Sequence, residues 1–229
     1  MKKQRSGNNY AFKYYKSRLL SYEKDFTRIK IIESLIGSNS RILDIGCYDG
    51  TIGKLLIDRN NEVHGIDGSE DALKVALQRG IKAKTGDLEE RFDFEDNFFD
   101  VVLAGEIIEH ILDTDSFISE IKRVLKPSGY LVLSTPNVAS LGRRAILLFG
   151  GNPYFEASLG FPPEAVAGHI RFFTKDLLLR FLTHSNFKIV NFTSDVINFS
   201  PSGRICNNFL ATVFPTLGKS LIVKAQNIK

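Results

Sequence analysis

The sequence predicts an α/β fold in which helices cover both faces of a parallel sheet. Short apolar runs alternate with helix-like segments, an alternation typical of sheets built from strand–helix–strand units. Several of these runs end in an acidic residue or lead into a glycine, as strands do where they meet a ligand. The strand candidates are residues 41–45, 62–67, 81–85, 99–104 and 130–135.

The helix-like segments lie between these runs. Residues 51–59 follow a glycine, residues 69–79 begin at Ser69, whose side chain suits an N-cap, and residues 114–125 end at a Lys-Pro-Ser-Gly sequence. Residues 10–36 precede the first strand and predict one or two further helices.

The pattern changes after residue 136. Residues 138–170 are rich in Gly, Pro and Phe without a sustained period, and they predict a cap inserted after the fifth strand. The alternation then resumes with a helix at 174–184 and strands at 187–193 and 220–225. We expect a single domain over residues 1–229. Its parts are an N-terminal helical arm (1–39), the alternating half (40–137), the cap (138–170) and a C-terminal helix with the last two strands (171–229).

Composition limits the class of protein. With 43% hydrophobic residues, the chain is long enough to bury one large core. No apolar stretch approaches the roughly 18 residues that a membrane-spanning helix needs. The first basic residues lead into polar ones, where a signal peptide would have its apolar core. Two cysteines without CxxC spacing argue against a disulfide scaffold and a cysteine-based zinc site. We therefore expect a cytoplasmic protein.

The N-terminal arm is basic. Six basic residues precede the first acid, Glu23, and aromatic residues lie among them. This arrangement suits contact with a phosphate, an anionic lipid or an acidic substrate. It also suits a solvated arm whose aromatic rings pack on the domain.

The most informative segment is Leu-Asp-Ile-Gly-Cys-Tyr-Asp-Gly at residues 43–50. It places an acid, Asp44, in a strand that runs into a glycine turn and then a helix. Glycine lets the backbone approach a ligand closely, and a helix start offers unpaired N–H groups. A nicotinamide dinucleotide site would need further glycines where Tyr48 and Thr51 stand, so the turn argues against that ligand.

Acidic residues and glycines recur at the carboxyl ends of the predicted strands. Asp67 ends the second strand, 21 residues after Gly46, where a carboxylate suits the two hydroxyls of an adenosine ribose. Asp87 follows the third strand and Glu106 follows the fourth. Because the carboxyl ends of parallel strands meet at one edge of a sheet, we expect these groups to line one ligand site.

From about residue 40 to residue 137, these motifs resemble the class I S-adenosylmethionine-dependent methyltransferase family. Gly46 and Gly50 are similar to its glycine motif, although the family commonly has glycine where Tyr48 stands. The resemblance implies a Rossmann-like, seven-stranded, mostly parallel sheet with an antiparallel last strand, and S-adenosylmethionine as the cofactor of the 40–137 half. The residues that it implies at the cofactor are Asp44, Gly46, Cys47, Tyr48, Gly50, Asp67, Gly68, Asp87, Leu88, Ala104 and Glu106.

Two further segments resemble particular subgroups of the family. Residues 106–110, Glu-Ile-Ile-Glu-His, resemble the E-x-x-E-H segment of quinone-biosynthesis O-methyltransferases and of small-RNA 2′-O-methyltransferases. Residues 168–174 resemble the segment that closes the substrate site in the first subgroup. The likeness implies catalytic roles for Glu106, His110 and His169, since an imidazole can accept a hydroxyl proton near neutrality. A loop-anchoring hydrogen bond is the alternative role for His169.

The quinone-biosynthesis subgroup explains more of the sequence. We therefore expect O-methylation of a small or lipid-linked molecule, such as a quinol, phenol or glycan hydroxyl. Relatives that methylate amides and exocyclic amines carry an Asn-Pro-Pro-Tyr motif after the fourth strand, and its absence here disfavours N-methylation of bases or glutamine. An RNA 2′-O-methyltransferase that uses the basic arm and a cofactor-binding regulatory module without turnover stay open as alternatives. We do not expect a nucleic-acid partner, and the sequence does not determine the oligomeric state.

The E-x-x-E-H segment also suggests a metal site. If residues 106–110 are helical, Glu106, Glu109 and His110 share one face, and His169 supplies a fourth ligand. Two carboxylates and two imidazoles suit Mg²⁺ or Mn²⁺, and a bound cation would both orient and acidify a hydroxyl. In the alternative, Glu106 touches the cofactor while Glu109 and His110 cap neighbouring backbone.

The cap combines apolar residues with Arg143 and Arg144. Such a surface suits a hydrophobic substrate or peripheral contact with an anionic membrane. Apolar side chains in a loop also pack over a sheet as core, so both interpretations stay open.

Overall fold

A seven-stranded sheet organises the chain in the computed structural model, which describes residues 22–153, 168–199 and 205–229. The strands are β1 (Arg41–Ile45), β2 (Glu62–Asp67), β3 (Lys82–Thr85), β4 (Phe99–Gly105), β5 (Leu125–Pro136), β6 (Phe187–Thr193), β7 (Ile197–Asn198), β8 (Cys206–Asn207) and β9 (Ser220–Asn227). The α-helices are α1 (Tyr22–Ile36), α2 (Thr51–Ile57), α3 (Glu70–Gln78), α4 (Thr114–Val124), α5 (Leu141–Leu148), α6 (Lys175–His184) and α7 (Asn208–Val213).

The strand order is β3-β2-β1-β4-β5-β9-β6. Strands β1 to β5 pair in parallel, and β9 pairs antiparallel with both β5 and β6. Strand β6 therefore runs in the same direction as β1 to β5. This topology confirms the predicted seven-stranded, mostly parallel sheet with an antiparallel last strand.

The register of the central strands brings their carboxyl ends level. Ile45, the last residue of β1, pairs with Ile66 of β2 on one side and with Ala104 of β4 on the other. The residues that follow these strands consequently meet at one edge of the sheet, which we call the carboxyl edge.

Helices cover both faces of the sheet, as predicted. On one face, α4 and α6 contribute buried residues such as Ile121 and Leu178 to the larger core cluster. On the other face, α1 and α2 contribute Ile32 and Leu56. The predicted N-cap of α3 is confirmed, because the Ser69 side chain accepts a hydrogen bond from the N–H of Ala72.

Strand β5 differs from its prediction. It begins at Leu125 instead of residue 130, so the Lys-Pro-Ser-Gly sequence expected to end a helix lies inside a strand. Leu125 pairs with Phe99 and Tyr130 pairs with Val101, so β5 advances by five residues while β4 advances by two. The extra residues form a bulge in which Ser128 has a left-handed φ of 62°.

The chain beyond β5 is more elaborate than predicted. The cap begins with α5, and its residues 154–167 lie outside the described part of the chain, as do residues 1–21 of the N-terminal arm. The 171–229 part adds a two-stranded ribbon, β7–β8, and α7 to the predicted helix and two strands. Both α5 and α7 contact β7. We call α5, the ribbon and α7 the cap lobe.

The cap lobe stands at the carboxyl edge. The carboxyl end of β5 leads into it at Pro136, and β9 leaves it at Ser220, the residue that pairs with Pro136. Among the described residues, no helix has both the length and the apolar character needed to cross a membrane.

We predict that Leu131→Ala lowers the free energy of unfolding by about 2–5 kcal/mol, because it leaves a cavity in the centre of the core. Leu131 is fully buried, whereas 54% of Leu77 on α3 is exposed. Leu77→Ala is therefore the matched control, with an expected change within about 0.5 kcal/mol. Urea unfolding of both variants tests the prediction, and equal effects would contradict the placement of β5 in the core.

Candidate functional site

The glycine turn lies at the carboxyl edge between β1 and α2. Gly46 has a φ of 71° and donates its N–H to the carbonyl of Ile66 over 2.8 Å. A Cβ at Gly46 would displace the side chain of Ile107, and the positive φ also disfavours any residue other than glycine there. The turn closes with a hydrogen bond of 2.8 Å from the N–H of Gly50 to the carbonyl of Cys47.

Tyr48 stands in this turn with a left-handed φ of 47°. Residues with a side chain rarely adopt this conformation, which favours glycine at such a position. The N–H of Tyr48 donates to Asp67 Oδ2 over 2.9 Å. The backbone therefore follows a path that glycine would favour, and it is joined there to the end of β2.

Burial disfavours the ionised forms of two acids of the site. Burial, and then the nearby charge of Asp67, raise the pKa of Asp44 to about 7. Burial also raises the pKa of Asp67, although the N–H groups of Ser69 and Tyr48 oppose the shift. A ligand with a positive charge would favour the ionised forms of both groups. Burial raises the pKa of the Cys47 thiol, so this residue is not a reactive thiolate.

The remaining residues proposed for the cofactor also lie at this edge. Gly68 follows β2, and the N–H of Gly86 after β3 donates to the carbonyl of Asp67 over 3.1 Å. Asp87 is exposed, and its Oδ1 accepts the N–H of Glu89. Leu88 packs against the larger core cluster. Ala104 is fully buried near the end of β4.

Glu106 follows β4 in a left-handed conformation, with a φ of 58°. Its Oε1 accepts a hydrogen bond of 3.0 Å from Ser134 Oγ. Arg28, which is 5% exposed, donates from Nη1 to the same Ser134 oxygen over 3.2 Å and lies 3.9 Å from Glu106 Oε1. Arg28 lies outside every motif that the sequence indicates. Its only signal is a basic residue among the apolar residues of a helix that contains no motif.

A second group of side chains surrounds Glu109. Its Oε2 accepts a hydrogen bond of 2.9 Å from Thr135 Oγ1, while its buried Oε1 accepts none from any described residue. His169 Nε2 lies 4.0 Å from this Oε1. The rings of His110 and His169 are 4.9 Å apart, edge to face. Ligand atoms of Glu109, His110 and His169 all lie within 4.8 Å of one another.

The residues around His169 are fixed to the Glu109 segment by backbone hydrogen bonds. The N–H groups of Ile170 and Arg171 donate to the carbonyl of Glu109 over 2.9 and 3.2 Å. Arg171 also donates from Nε to the carbonyl of Ile111 over 2.9 Å. These bonds explain how two segments that are far apart in sequence meet.

The expectation that Glu106, Glu109 and His110 share one face of a helix is wrong. Only Ile108–His110 is helical, as a single 3₁₀ turn, and Glu106 precedes it in the left-handed conformation. Glu106 consequently turns towards Ser134 and Arg28, outside the cluster of Glu109 with the two histidines.

Burial and charge set the protonation of this cluster. Burial, and then the charge of Glu106, raise the pKa of Glu109 well above its usual value. Burial and the neighbouring His169 lower the pKa of His110 to about 4, although its hydrogen bond to the carbonyl of Gly168 opposes the shift. His110 is therefore neutral at pH 7, the form in which an imidazole binds a metal ion.

Comparison with known proteins agrees with this architecture. A family model described as a methyltransferase domain matches residues 36–149, about half of the chain. A ubiquinone biosynthesis O-methyltransferase of Idiomarina loihiensis is 32% identical over 61% of this chain and 58% of its own length. One from Rickettsia typhi is 28% identical over 80% of this chain and 75% of its own length. The Bos taurus mitochondrial relative is 33% identical, but only 33% of its length is matched.

Solved structures share the fold. A possible histamine N-methyltransferase of Thermotoga maritima superposes with a TM-score of 0.66 at 18% identity, covering 96% of this chain and all of its own. A methyltransferase of Methanosarcina mazei superposes with a TM-score of 0.63 at 22% identity, covering 86% of this chain and 97% of its own. The matched family model identifies residues 36–149 as a methyltransferase domain, and the superposed structures show that the chain shares the fold of S-adenosylmethionine-dependent methyltransferases.

Proposed function

We propose that the protein is an enzyme that transfers the methyl group of S-adenosylmethionine to a hydroxyl oxygen of a small or lipid-linked molecule. The observation that best supports this proposal is the cluster of Glu109, His110 and His169 beside the carboxyl edge. This set of side chains suits the activation of a hydroxyl. The similarity to relatives named as O-methyltransferases of ubiquinone biosynthesis also supports transfer to an oxygen. Because the chain spans 58% or less of several of these relatives, the acceptor is part of the proposal.

The glycine turn and the acids at the carboxyl edge fit the proposed cofactor. A Cβ at Gly68 would meet no atom within 4 Å, so the backbone after β2 borders open space, and the carboxylate of Asp67 suits the ribose hydroxyls. Asp44 lies buried beside Asp67, where a sulfonium would favour the ionised form. When bound, S-adenosylmethionine supplies a methyl group activated by its positive sulfur. We assign the same role of lining this ligand to Cys47, Tyr48, Gly50, Gly68, Asp87, Leu88, Ala104 and Glu106.

The residues of the second cluster have different capacities. Glu109 has one oxygen that accepts no hydrogen bond from a described residue, and its raised pKa suits a proton acceptor. His110, with a pKa of about 4, is a weak base but a suitable neutral ligand. His169 suits either role, proton acceptor or metal ligand. Its Nε2 is 4.0 Å from Glu109 Oε1. Arg28 and Ser134 hold Glu106 at the end of β4, outside the cluster of Glu109, His110 and His169.

A divalent cation is part of the proposal. The buried Glu109 Oε1, with no hydrogen-bond donor among the described residues, and two imidazole nitrogens within 4.8 Å suit Mg²⁺ or Mn²⁺. Bound there, such an ion would lower the pKa of a coordinated hydroxyl. Glu109, His110 and His169 would hold it, whereas Glu106 would stay with Ser134.

Apolar surface near the cluster supports an apolar acceptor. Leu112, Ile170 and Phe172 are exposed beside the segments that hold His110 and His169. On the cap lobe, no residue of α5 is buried, and 61–85% of the side chains at residues 147–149 is exposed. We infer that the cap lobe receives the apolar part of a lipid-linked acceptor and contacts a membrane surface peripherally.

The alternative functions have less support. Arg171, the basic residue beside the cluster, donates to backbone carbonyls of Ile111 and Leu112, so its guanidinium is already engaged. The basic arm that would contact RNA lies at residues 1–21, outside the described part of the chain. A regulatory module without turnover would rest on the tyrosine at position 48, yet the backbone of Tyr48 has the left-handed φ that glycine favours. A cytoplasmic location and a single domain over residues 1–229 remain part of the proposal.

We expect Asp67→Ala to weaken binding of S-adenosylhomocysteine by about 1–3 kcal/mol, because ribose hydroxyls in a closed site would lose their acceptor. Isothermal titration calorimetry measures the change. Asp93→Ala is the matched control, since the Asp93 side chain is 99% exposed and should leave affinity unchanged. Wild-type affinity in Asp67→Ala would exclude the assignment of this acid to the ribose.

We expect activity to fall about 100-fold or more after chelation and dialysis, and to return with Mg²⁺ or Mn²⁺. Added metal should not restore Glu109→Gln or His169→Ala, which remove a ligand. His184→Ala, at the end of α6, should behave as the wild type. Full activity in chelator would remove the metal from the mechanism and leave Glu109 as the proton acceptor.

A labelled-methyl assay on cell extract, fractionated into lipid, small-molecule, RNA and protein pools, tests the acceptor. We expect label in the lipid or small-molecule pool. For a lipid-linked acceptor, the double variant Leu147→Ser/Leu148→Ser should raise KM severalfold and leave the KM for a short water-soluble catechol unchanged. Label confined to RNA, with strongly salt-dependent RNA binding, would instead favour the RNA alternative.

A further inference from the structure

The cofactor turn depends on a residue that does not follow β1 or β2. Arg79 is the C-cap of α3, and its Nη1 lies 2.9 Å from the carbonyl oxygen of Asp49 and 2.7 Å from Thr51 Oγ1. The same nitrogen lies 2.9 Å from Asp49 Oδ2. One guanidinium nitrogen therefore contacts three oxygens of the turn.

Asp49 completes this arrangement. Its Oδ1 accepts hydrogen bonds from the N–H of Thr51 over 3.0 Å and from Thr51 Oγ1 over 2.8 Å. The residue before α2 is Gly50, which has no side chain to cap the helix. Asp49 thus bonds a first-turn N–H, and Arg79 fixes the carboxylate that does so.

The position of this clamp matters because Tyr48 precedes it. Tyr48 holds a left-handed φ of 47°, which disfavours the turn relative to a chain with glycine there. Its N–H is held by Asp67 Oδ2, and the carbonyl of the next residue is held by Arg79. The strained residue is therefore restrained on both sides by side chains from β2 and α3.

Arg79 also affects the charge of the site. Asp49 is a third acid near Asp44 and Asp67, and its ion pair with Arg79 turns its carboxylate towards α3. Helix α3 lies close to the turn, because a Cβ at Gly50 would be 3.1 Å from Ala76 Cα. The contact is accordingly built into the packing of α3 on the turn.

We propose that Arg79 is a positioning residue that, with Asp49, holds residues 46–51 in the conformation that binds the cofactor, against the strain of the left-handed Tyr48. This role rests on the proposed function, since the ligand of the turn is S-adenosylmethionine. Arg79 itself touches neither the reacting atoms nor the acceptor. Its loss should therefore raise the Kd and KM for the cofactor and leave kcat at saturation unchanged.

Calorimetry with S-adenosylhomocysteine on the full chain tests the proposal. We expect Arg79→Met to raise Kd about tenfold and Arg79→Lys to raise it less. Arg180→Met is the matched control, because Arg180 forms an exposed ion pair with Asp176 on α6, and its Kd should equal that of the wild type. If Arg79→Met fails to fold, Asp49→Asn replaces it, since the variant removes the ion pair and keeps an oxygen for Thr51.

A double-mutant cycle separates positioning from general stability. Glycine adopts the left-handed conformation without strain, so the effect of Arg79→Met on Kd should fall to threefold or less in Tyr48→Gly. Amide exchange in the ligand-free protein should become faster at Tyr48 and Thr51 in Arg79→Met. An equal rise in Kd in both backgrounds, or a wild-type Kd in Arg79→Met, would overturn the role of Arg79 and leave the proposed cofactor unaffected. A wild-type protein that does not bind S-adenosylhomocysteine would overturn the proposed cofactor and this role with it.

Discussion

The parallel pairing of β1 with β2 and β4 is the constraint on which the site depends. Since Ile45 pairs with both Ile66 and Ala104, the glycine turn, Asp67 and Glu106 emerge at one level of the sheet. The hydrogen bond from the N–H of Gly46 to the carbonyl of Ile66 extends this pairing into the turn. A shift of one residue between these strands would exchange the faces on which their side chains lie and would separate the acids from the turn.

The two groups of site residues share one electrostatic design. Burial raises the pKa of Asp44 and Asp67 on one side and of Glu109 on the other. Buried carboxylates are costly alone and favourable beside a cation. The first group suits the positive sulfur of the cofactor, and the second suits a metal ion or a transferred proton. Arg28, buried beside Glu106 and Ser134 of β5, carries a positive charge that favours the ionised form of Glu109.

Much of the fold could be predicted because its signals are local. Alternating apolar runs and the Ser69 cap depend on neighbouring residues, and so do the glycine and the acid that end β1 and β2. The 3₁₀ turn at Ile108–His110 could not be read in this way, because hydrogen bonds from residues 170 and 171 to Glu109 fix that backbone. The roles of Arg28 and Arg79 could not be predicted for the same reason, since each contacts an oxygen of a residue that is far away in sequence.

Strand β9 has a consequence for the order in which the molecule forms. It follows every other strand of the sheet in sequence, yet it lies between β5 and β6. During synthesis, β1 to β5 can pair as soon as each emerges, whereas β6 has no neighbour until β9 has been made. The strands of residues 40–137 can thus pair early, and the strands that flank the cap lobe pair last. A nascent chain is accordingly able to shape a nucleoside site before it has a complete place for the molecule to be modified.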